Sequence, residues 1–213
     1  MPQQLHWKGI HVPYITPWSA ETPHSHPLVR RGPGIAYLDE IPFIDRCDGV
    51  LWQRMPATRG IGRPNFAGVH ALRQRQAMRA LRCQVCGEPT TGERTDQRSL
   101  FLVHADPGYP IREGEKTVAP PVHQSCAHEA IAACPHLRNH AAALVTHTPA
   151  WGVAGILYDP NTLQPLPGPD NDGAGLECIS YDDPRIHFTI AAREIILLHD
   201  IEEITLNPHT SPT

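Results

Sequence analysis

The chain has 213 residues, 40% of them hydrophobic and 19% charged, which is typical of a globular protein. This length suits one domain with embellishments or two small domains, and the 23 prolines indicate irregular chain between short elements. No apolar run is long enough to cross a bilayer, and the first residues lack the basic and apolar pattern of a secretory signal. We therefore expect a cytoplasmic location and no membrane partner.

The net charge of −4 conceals a strongly basic segment in the first half of the chain. Residues 49–87 contain no Asp or Glu but seven arginines, so this segment carries a charge of +7. Such a segment either packs against the acidic C-terminal half of the protein or binds nucleic acid or an acidic protein partner. The sequence leaves both interpretations open.

The first third of the chain predicts an irregular arm and two short strands. Residues 1–34 are rich in Pro, His and aromatic residues and show no hydrophobic period, which predicts an irregular arm. Residues 35–38 and 50–54 predict two strands joined by a turn-prone connection. A loop with several Gly and Pro residues follows over 56–68.

The next segment predicts a helix with an arginine-rich surface. Residues 69–81 lack Gly and Pro and are dense in Ala, Leu, Arg, Gln and Met, which favours a helix. Its arginines recur close to helical spacing, so we expect them on one face, available to phosphates. The predicted nucleic-acid contacts on helix 70–82 are Arg73, Arg75, Arg79 and Arg82.

The second half of the chain alternates predicted strands and helices. Strands are predicted over 99–105, 141–147 and 150–158, and a short helix follows Cys126. Asp183-Pro184 is a typical helix start, and apolar residues then recur at helical spacing, which predicts a helix over 184–199. An edge strand is predicted at the end of the chain.

Two pairs of candidate metal ligands share the same two-residue spacing. Cys83 and Cys86, followed by Gly87, form a zinc knuckle, and His123 and Cys126 precede the short helix. In a reducing compartment such pairs indicate metal binding rather than disulfides. Zn²⁺ prefers four such ligands in a tetrahedron, so the sequence predicts one structural zinc site.

The fourth zinc ligand is the least certain member of this set. His123 is favoured, but His128, Cys134 and His136 also lie within reach of the same short helix. A closed set of four ligands leaves no position for water or substrate, so the zinc would stabilise the fold rather than perform chemistry.

These elements together predict an α+β protein. A knuckle, a strand and a second ligand pair entering a helix form a treble-clef-like zinc site, with short β-hairpins and two or three helices around it. We expect an arm over 1–34, a zinc-binding core over 35–150, and a strand and helix extension over 151–213 that packs on the core.

The predicted function is non-enzymatic binding through the arginine-rich helix, with an HNH-like nuclease built on the same treble clef as the alternative. In a nuclease, His104 at the end of a strand would act as general base and His128 would bind the catalytic ion. Val103 stands where such enzymes usually have an acidic residue, which weakens this alternative.

The order of several segments resembles a zinc-knuckle protein family of Streptomyces and related actinobacteria. These segments are VPYITPWS, GIAYLDE, GVLWQR, GRPNF, LRQRQAMRALRCQVCG, PPVHQSCA, CPHL, WGVAGILY and DDPRIHFTIAA. The family often has Cys at the position of His123, which implies a ligand role there, and tends to lack a residue equivalent to His104. The resemblance implies a bacterial cytoplasmic protein and carries no assigned activity.

Overall fold

A computed structural model describes residues 2–104, 111–138, 140–168 and 175–206, apart from the side chains of His104, His136 and Arg138. The chain divides into two compact units, each assembled from separated segments. Unit 1 comprises Met1–Ile15, Gln76–Pro149 and Ile196–Thr213, and unit 2 comprises Thr16–Arg75 and Ala150–Ile195. The boundaries predicted from sequence were contiguous stretches, whereas these units are discontinuous because strands from distant segments pair.

The chain is α+β, with few helices and several sheets. The strands are β1 (Leu5–Trp7), β2 (Ile10–Val12), β3 (Leu28–Arg31), β4 (Gly34–Tyr37), β5 (Arg46–Cys47), β6 (Val50–Trp52), β7 (Ser99–His104), β8 (Glu115–Thr117), β9 (His140–His147), β10 (Ala150–Leu157), β11 (Glu177–Ser180) and β12 (Thr189–Ile204). The helices are α1 (Pro42–Asp45), α2 (Ala71–Arg79) and α3 (Gln124–Ala133), with 3₁₀ turns at Ser19–Glu21, Pro135–Arg138 and Pro184–Phe188. Within the described residues, no helix is long and apolar enough to cross a membrane.

Unit 1 is built on an antiparallel sheet in which β9 lies between β7 and the second half of β12. Alternate residues of β7 point to opposite faces of the sheet and pack in different hydrophobic cores. Leu100 and Leu102 pack on one face with the metal-ligand segments, whereas Phe101 and Val103 pack on the other face with Met78 of α2. Because both faces are covered, β7 is a continuous apolar run, as its sequence predicted. One of these cores supports the metal centre.

Unit 2 contains β11, β10, the first half of β12, β6 and β5, hydrogen-bonded in that order. The first half of β12 runs parallel to β6, with Ile190 opposite Leu51. A separate hairpin of β3 and β4 completes the strands of this unit. Its core includes Trp52, Val153 and Ile179, all of them buried.

The helix predicted over 184–199 is wrong, because the chain forms a 3₁₀ turn and then the strand β12. The predicted start is correct: the Asp183 carboxylate accepts a hydrogen bond from the Arg185 N–H at 2.9 Å. The strand is buried along most of its first ten residues. When a strand is buried on both faces, most of its residues are apolar, and some of them fall at helical spacing by chance. The spacing of the apolar residues therefore does not distinguish a strand from a helix here.

The other predicted helices and strands are present, whereas α1, β5, β8, β11 and the strands near the N-terminus were not predicted. The helix predicted over 69–81 is confirmed as α2, and the strands predicted over 141–147 and 150–158 are confirmed as β9 and β10. Residues 1–34, expected to be irregular, contain β1, β2 and β3. These strands have only three or four residues, which is too short to produce a recognisable hydrophobic alternation.

Candidate metal centre

The structure brings the four favoured ligands together in unit 1. One ligand atom from each of Cys83, Cys86, His123 and Cys126 lies within 4.8 Å of all the others. The Sγ atom of Cys86 is 3.2 Å from Nδ1 of His123. Three sulfur atoms and one imidazole nitrogen at this spacing form a set that can hold one metal ion.

A tight turn aims the first two sulfur atoms at the centre. The Gly87 N–H donates to the Cys83 carbonyl at 2.8 Å, and the Cys86 N–H points to the Cys83 Sγ at 3.5 Å. The turn requires Gly87 to adopt φ of +80°, a conformation that a residue with a side chain rarely takes. The glycine that follows the C-x-x-C pair is therefore part of the geometry that forms the site.

Replacing Gly87 with alanine is expected to destabilise unit 1 more than the same change at another left-handed glycine. At position 87 a Cβ atom would lie 2.7 Å from Cδ2 of Tyr14, whereas at Gly92, with φ of +85°, it would meet nothing within 4 Å. Gly92→Ala thus costs the φ strain of about 1 kcal/mol, and Gly87→Ala costs at least about 1 kcal/mol more from crowding. Denaturant unfolding of both metal-loaded variants measures this difference, and equal losses would show that the contact with Tyr14 is unimportant.

The start of α3 supplies the second pair of ligands. His123 is the N-cap residue, and its carbonyl accepts the Ala127 N–H at 2.8 Å, so Cys126 lies in the first helical turn. The partial positive charge of a helix N-terminus favours a thiolate at that position. The sequence of this short helix therefore places Cys126 beside the other ligands.

The ring of His123 is oriented by a hydrogen bond on the side away from the cysteines. Its Nε2 atom lies 2.9 Å from the Pro89 carbonyl oxygen, which can only accept a hydrogen bond. Nε2 consequently carries the proton, and the lone pair of the neutral ring is at Nδ1, which faces Cys86. Outer contacts of this kind fix the tautomer of metal-binding histidines in proteins.

Backbone hydrogen bonds connect both ligand segments to the sheet. The Gln84 N–H donates to the Pro121 carbonyl at 2.9 Å, and the Val122 N–H donates to the Leu100 carbonyl on β7 at 2.8 Å. Cys83, Val122 and Leu100 then share one apolar core. The ligand atoms are therefore held by regular structure rather than by loop chain alone.

The pKa shifts of the ligands favour one thiolate and oppose ionisation of the other two thiols. A hydrogen bond from Cys126, together with one from His123, lowers the pKa of Cys83 to about 3 despite its burial. The hydrogen bond to Cys83 raises the pKa of Cys126, and burial raises the pKa of Cys86. The Cys83 thiolate also raises the pKa of His123 to about 9. A positive ion at the centre would allow all three thiolates to form.

The other ligand candidates lie elsewhere, as far as the described residues show. Cys134 is the C-cap residue of α3, and its N–H donates to the Ala130 carbonyl. Neither Cys134 nor His128 belongs to the group of four. The side chain of His136 lies outside the described part of the chain. The geometry therefore favours His123 as the fourth ligand over His128 and Cys134.

No protein-family model, curated protein or solved structure matches this chain. The interpretation of the site accordingly rests on its own geometry and chemistry.

Arg73, predicted to contact nucleic acid, is buried in unit 2. Its guanidinium donates to both carboxylate oxygens of Glu21 at 2.7 Å and to the Thr16 carbonyl at 2.9 Å. The exposed fraction is 6% for Arg73 and 0% for Glu21. This arginine is therefore engaged inside the protein, but its partner Glu21 lies near the N-terminus and not in the acidic C-terminal half that the sequence suggested. Sequence analysis missed Glu21 because it lies in a stretch that showed no hydrophobic period.

The other three predicted arginines differ in their surroundings. The guanidinium of Arg75 lies 4.4 Å from the centre of the Trp52 ring in a cation–π contact. Arg82 is half-buried and donates to the Gly87 carbonyl at 3.2 Å, while Arg79 is exposed. The four side chains do not form one continuous exposed stripe.

The described part of the structure does not show the two predicted nuclease residues forming a site. His104 is the last residue of β7 and pairs with His140 through the backbone, but its imidazole lies outside the described part of the chain. The Nε2 atom of His128 is enclosed by protein, so it does not face a phosphate-bound ion.

Proposed function

We propose that Zn²⁺ binds to Cys83, Cys86, His123 and Cys126 and that its role is structural. The observation that carries this proposal is the convergence of three sulfur atoms and one oriented imidazole nitrogen within 4.8 Å. A tetrahedral set of soft sulfur and borderline nitrogen ligands suits Zn²⁺ better than the oxygen-preferring Mg²⁺ or Ca²⁺. The order of knuckle, strand β7 and ligand-bearing helix α3 is treble-clef-like.

The proposed zinc ion stabilises a non-enzymatic protein. Four protein ligands fill the coordination sphere, so no position remains where water or substrate could be activated. The ion would connect the knuckle to α3, and the N-terminal segment is attached to the same knuckle. The Tyr14 N–H donates to the Val85 carbonyl at 2.8 Å, and the Gln4 amide donates to the Cys86 carbonyl at 3.0 Å. Loss of the metal would thus loosen several segments of unit 1.

Nucleic-acid binding through α2 is not part of this proposal. Non-specific affinity for nucleic acid depends on the number of phosphates that basic side chains neutralise. Arg73 is paired with Glu21 and Arg75 lies over Trp52. Arg82 is half-buried and donates to the Gly87 carbonyl, which leaves Arg79 as the exposed arginine of the predicted set. One such contact gives too little affinity to retain DNA or RNA at physiological salt.

Metal analysis of the purified protein tests the proposal. Elemental analysis and native mass spectrometry are expected to find one zinc ion per chain. His123→Cys should retain it, because a thiolate replaces the imidazole as fourth ligand. His123→Ala should weaken zinc binding by more than the roughly 10- to 100-fold cost of losing an outer-shell hydrogen bond.

His128→Ala is the matched control, because this histidine lies two residues beyond Cys126 but outside the group of four. It should bind zinc as the wild type does. A fully folded wild-type protein that holds no metal would disprove the proposal, and loss of zinc from His128→Ala rather than from His123→Ala would assign the fourth ligand differently.

A further inference from the structure

We infer that His147 and His199 form a second metal site on unit 1, which binds an exchangeable divalent transition metal such as Ni²⁺ or Zn²⁺. This site shares no residue with the cysteine-containing centre and does not depend on the zinc proposed there. The inference rests on the placement of the two imidazoles, on the hydrogen bond that fixes one of them, and on their exposure.

The strand register places the two histidines directly opposite each other. His147 on β9 pairs with His199 on β12 in an antiparallel ladder. Opposite residues of such a pair have their Cβ atoms about 4.5–5.5 Å apart, so both side chains leave the same face of the sheet. The ring centres are 6.1 Å apart and the ring planes are inclined by 41°. Two imidazoles bound to one ion through bonds of about 2.1 Å have ring centres roughly 5–6 Å apart, so small side-chain rotations suffice.

A carboxylate holds His199 in the tautomer that a metal requires. The Nδ1–H of His199 donates to Oε1 of Glu113 at 2.7 Å, and the same carboxylate oxygen accepts the Asp200 N–H at 3.1 Å. With the proton at Nδ1, the free lone pair of the ring is at Nε2. A carboxylate behind a histidine also makes the ring a stronger ligand, as in many metal sites of proteins.

The exposure of the two histidines indicates a site from which the metal exchanges readily. His147 is exposed, and the side chain of His199 is 34% exposed, so an ion can enter directly from solvent. Two protein ligands leave the remaining coordination positions to water, which implies weaker and faster exchange than at a closed four-ligand centre. Imidazole ligands suit Zn²⁺, Ni²⁺ and Cu²⁺, and they are poor ligands for Mg²⁺ and Ca²⁺.

A second cross-strand histidine pair in unit 1 provides a matched comparison. His6 and His11 lie opposite each other in the β1–β2 hairpin, with ring centres 5.1 Å apart. Both nitrogens of His11 are engaged, since Nδ1 is 3.1 Å from Oε1 of Glu129 and Nε2 is 2.9 Å from Oε1 of Gln4. A metal could bind His11 only by displacing one of these two neighbours, whereas Nε2 of His199 has no such neighbour among the contacts of the described residues. The same strand geometry therefore predicts binding at one pair and none at the other.

Calorimetric titration of the untagged, metal-loaded protein with Ni²⁺ tests the inference. The wild type is expected to bind one equivalent of Ni²⁺ with micromolar affinity, without releasing the metal already bound at the cysteines. His147→Asn and His199→Asn should each weaken binding at least tenfold, and His6→Asn should leave it unchanged. Elemental analysis before and after the titration reports the cysteine-bound metal separately, so failure of one site is distinguishable from failure of the other.

Two results would overturn the inference. One is absence of Ni²⁺ binding by the wild type, and the other is unchanged binding by both His147→Asn and His199→Asn. Circular dichroism melting verifies that each variant is folded, and because His147 is exposed, His147→Asn alone decides the question if His199→Asn is unstable.

Discussion

Replacing Cys83 with serine is expected to unfold the metal-binding part of unit 1. Cys83 is fully buried, and its thiolate is the acceptor for Cys126 and His123 in the cluster. A hydroxyl is a much poorer zinc ligand than a thiolate, so the variant should lose the ion. The binding free energy of a structural zinc ion is about 10–16 kcal/mol. That is of the same size as the roughly 5–15 kcal/mol that stabilises a typical domain, so the loss should decide whether this region folds.

Hydrogen exchange measures this loss locally. The N–H groups of Gln84, Gly87 and Val122, which donate hydrogen bonds around the site, should exchange fast in Cys83→Ser and in wild-type protein treated with a strong chelator. Cys134→Ser is the control, because Cys134 lies at the end of α3 outside the ligand group. It should retain the metal and slow exchange. Slow exchange in a metal-free Cys83→Ser protein would mean that packing alone holds this region.

The candidate metal site could be predicted because each pair of its ligands is recognised by a short spacing in the sequence. When two residues separate a pair of ligands, a tight turn or the first turn of a helix directs both side chains to one ion. This spacing allowed Cys83, Cys86 and Cys126 to be identified from sequence. The choice of His123 over its neighbours could not be made from sequence with the same certainty. It depends on the Pro89 carbonyl, which lies 34 residues earlier in the chain and reaches the ring only in the folded protein.

Elements of the fold were predictable where the sequence favours one kind of element and not where its apolar residues suit both a helix and a strand. The hydrophobic pattern of α2 and the apolar run of β7 correspond to the observed elements. In β12 nearly every residue from Thr189 to Ile196 is buried, including the charged Glu194, so its sequence carries no alternation of apolar and polar residues. The burial of Arg73 could not be predicted from sequence either, because a charged residue on a helix usually faces solvent. Arg73 is buried because it pairs with Glu21, which is distant in the sequence.

Replacing Arg73 with alanine is expected to destabilise unit 2 by about 3–5 kcal/mol, the cost of leaving one partner of a buried ion pair alone. Glu21 would lose two charge-assisted hydrogen bonds and retain the Trp18 N–H, which donates to Oε2 at 2.9 Å. Arg79→Ala is the control on the same helix, because Arg79 is exposed and even an exposed ion pair contributes at most about 1 kcal/mol. Denaturant unfolding of the two variants gives the comparison.

The pH dependence of this loss distinguishes an ion pair from mere packing. In the wild type, burial raises the pKa of Glu21, but the hydrogen bonds from Arg73 and Trp18 outweigh it, so its pKa lies below the ordinary value of 4.5. A depressed carboxyl pKa contributes stability above pH 4.5 that is lost as the pH falls. Without Arg73, burial would raise the pKa of Glu21 above 4.5, and the variant would instead lose stability as the pH rises.

The difference in unfolding free energy between wild type and Arg73→Ala should therefore grow from pH 4 to pH 7. His70 acts in the same direction. Its ring nitrogen lies 3.7 Å from Glu21, and burial together with the charge of Arg73 lowers its pKa. Once Arg73 is gone, protonated His70 can partly replace the guanidinium at low pH.

A difference in unfolding free energy that stays constant from pH 4 to pH 7 would mean that Arg73 contributes through its packed side-chain carbons rather than through its charge. The double variant Glu21→Gln with Arg73→Ala should then recover no stability relative to Arg73→Ala, whereas the ion-pair explanation predicts that it recovers part of the loss.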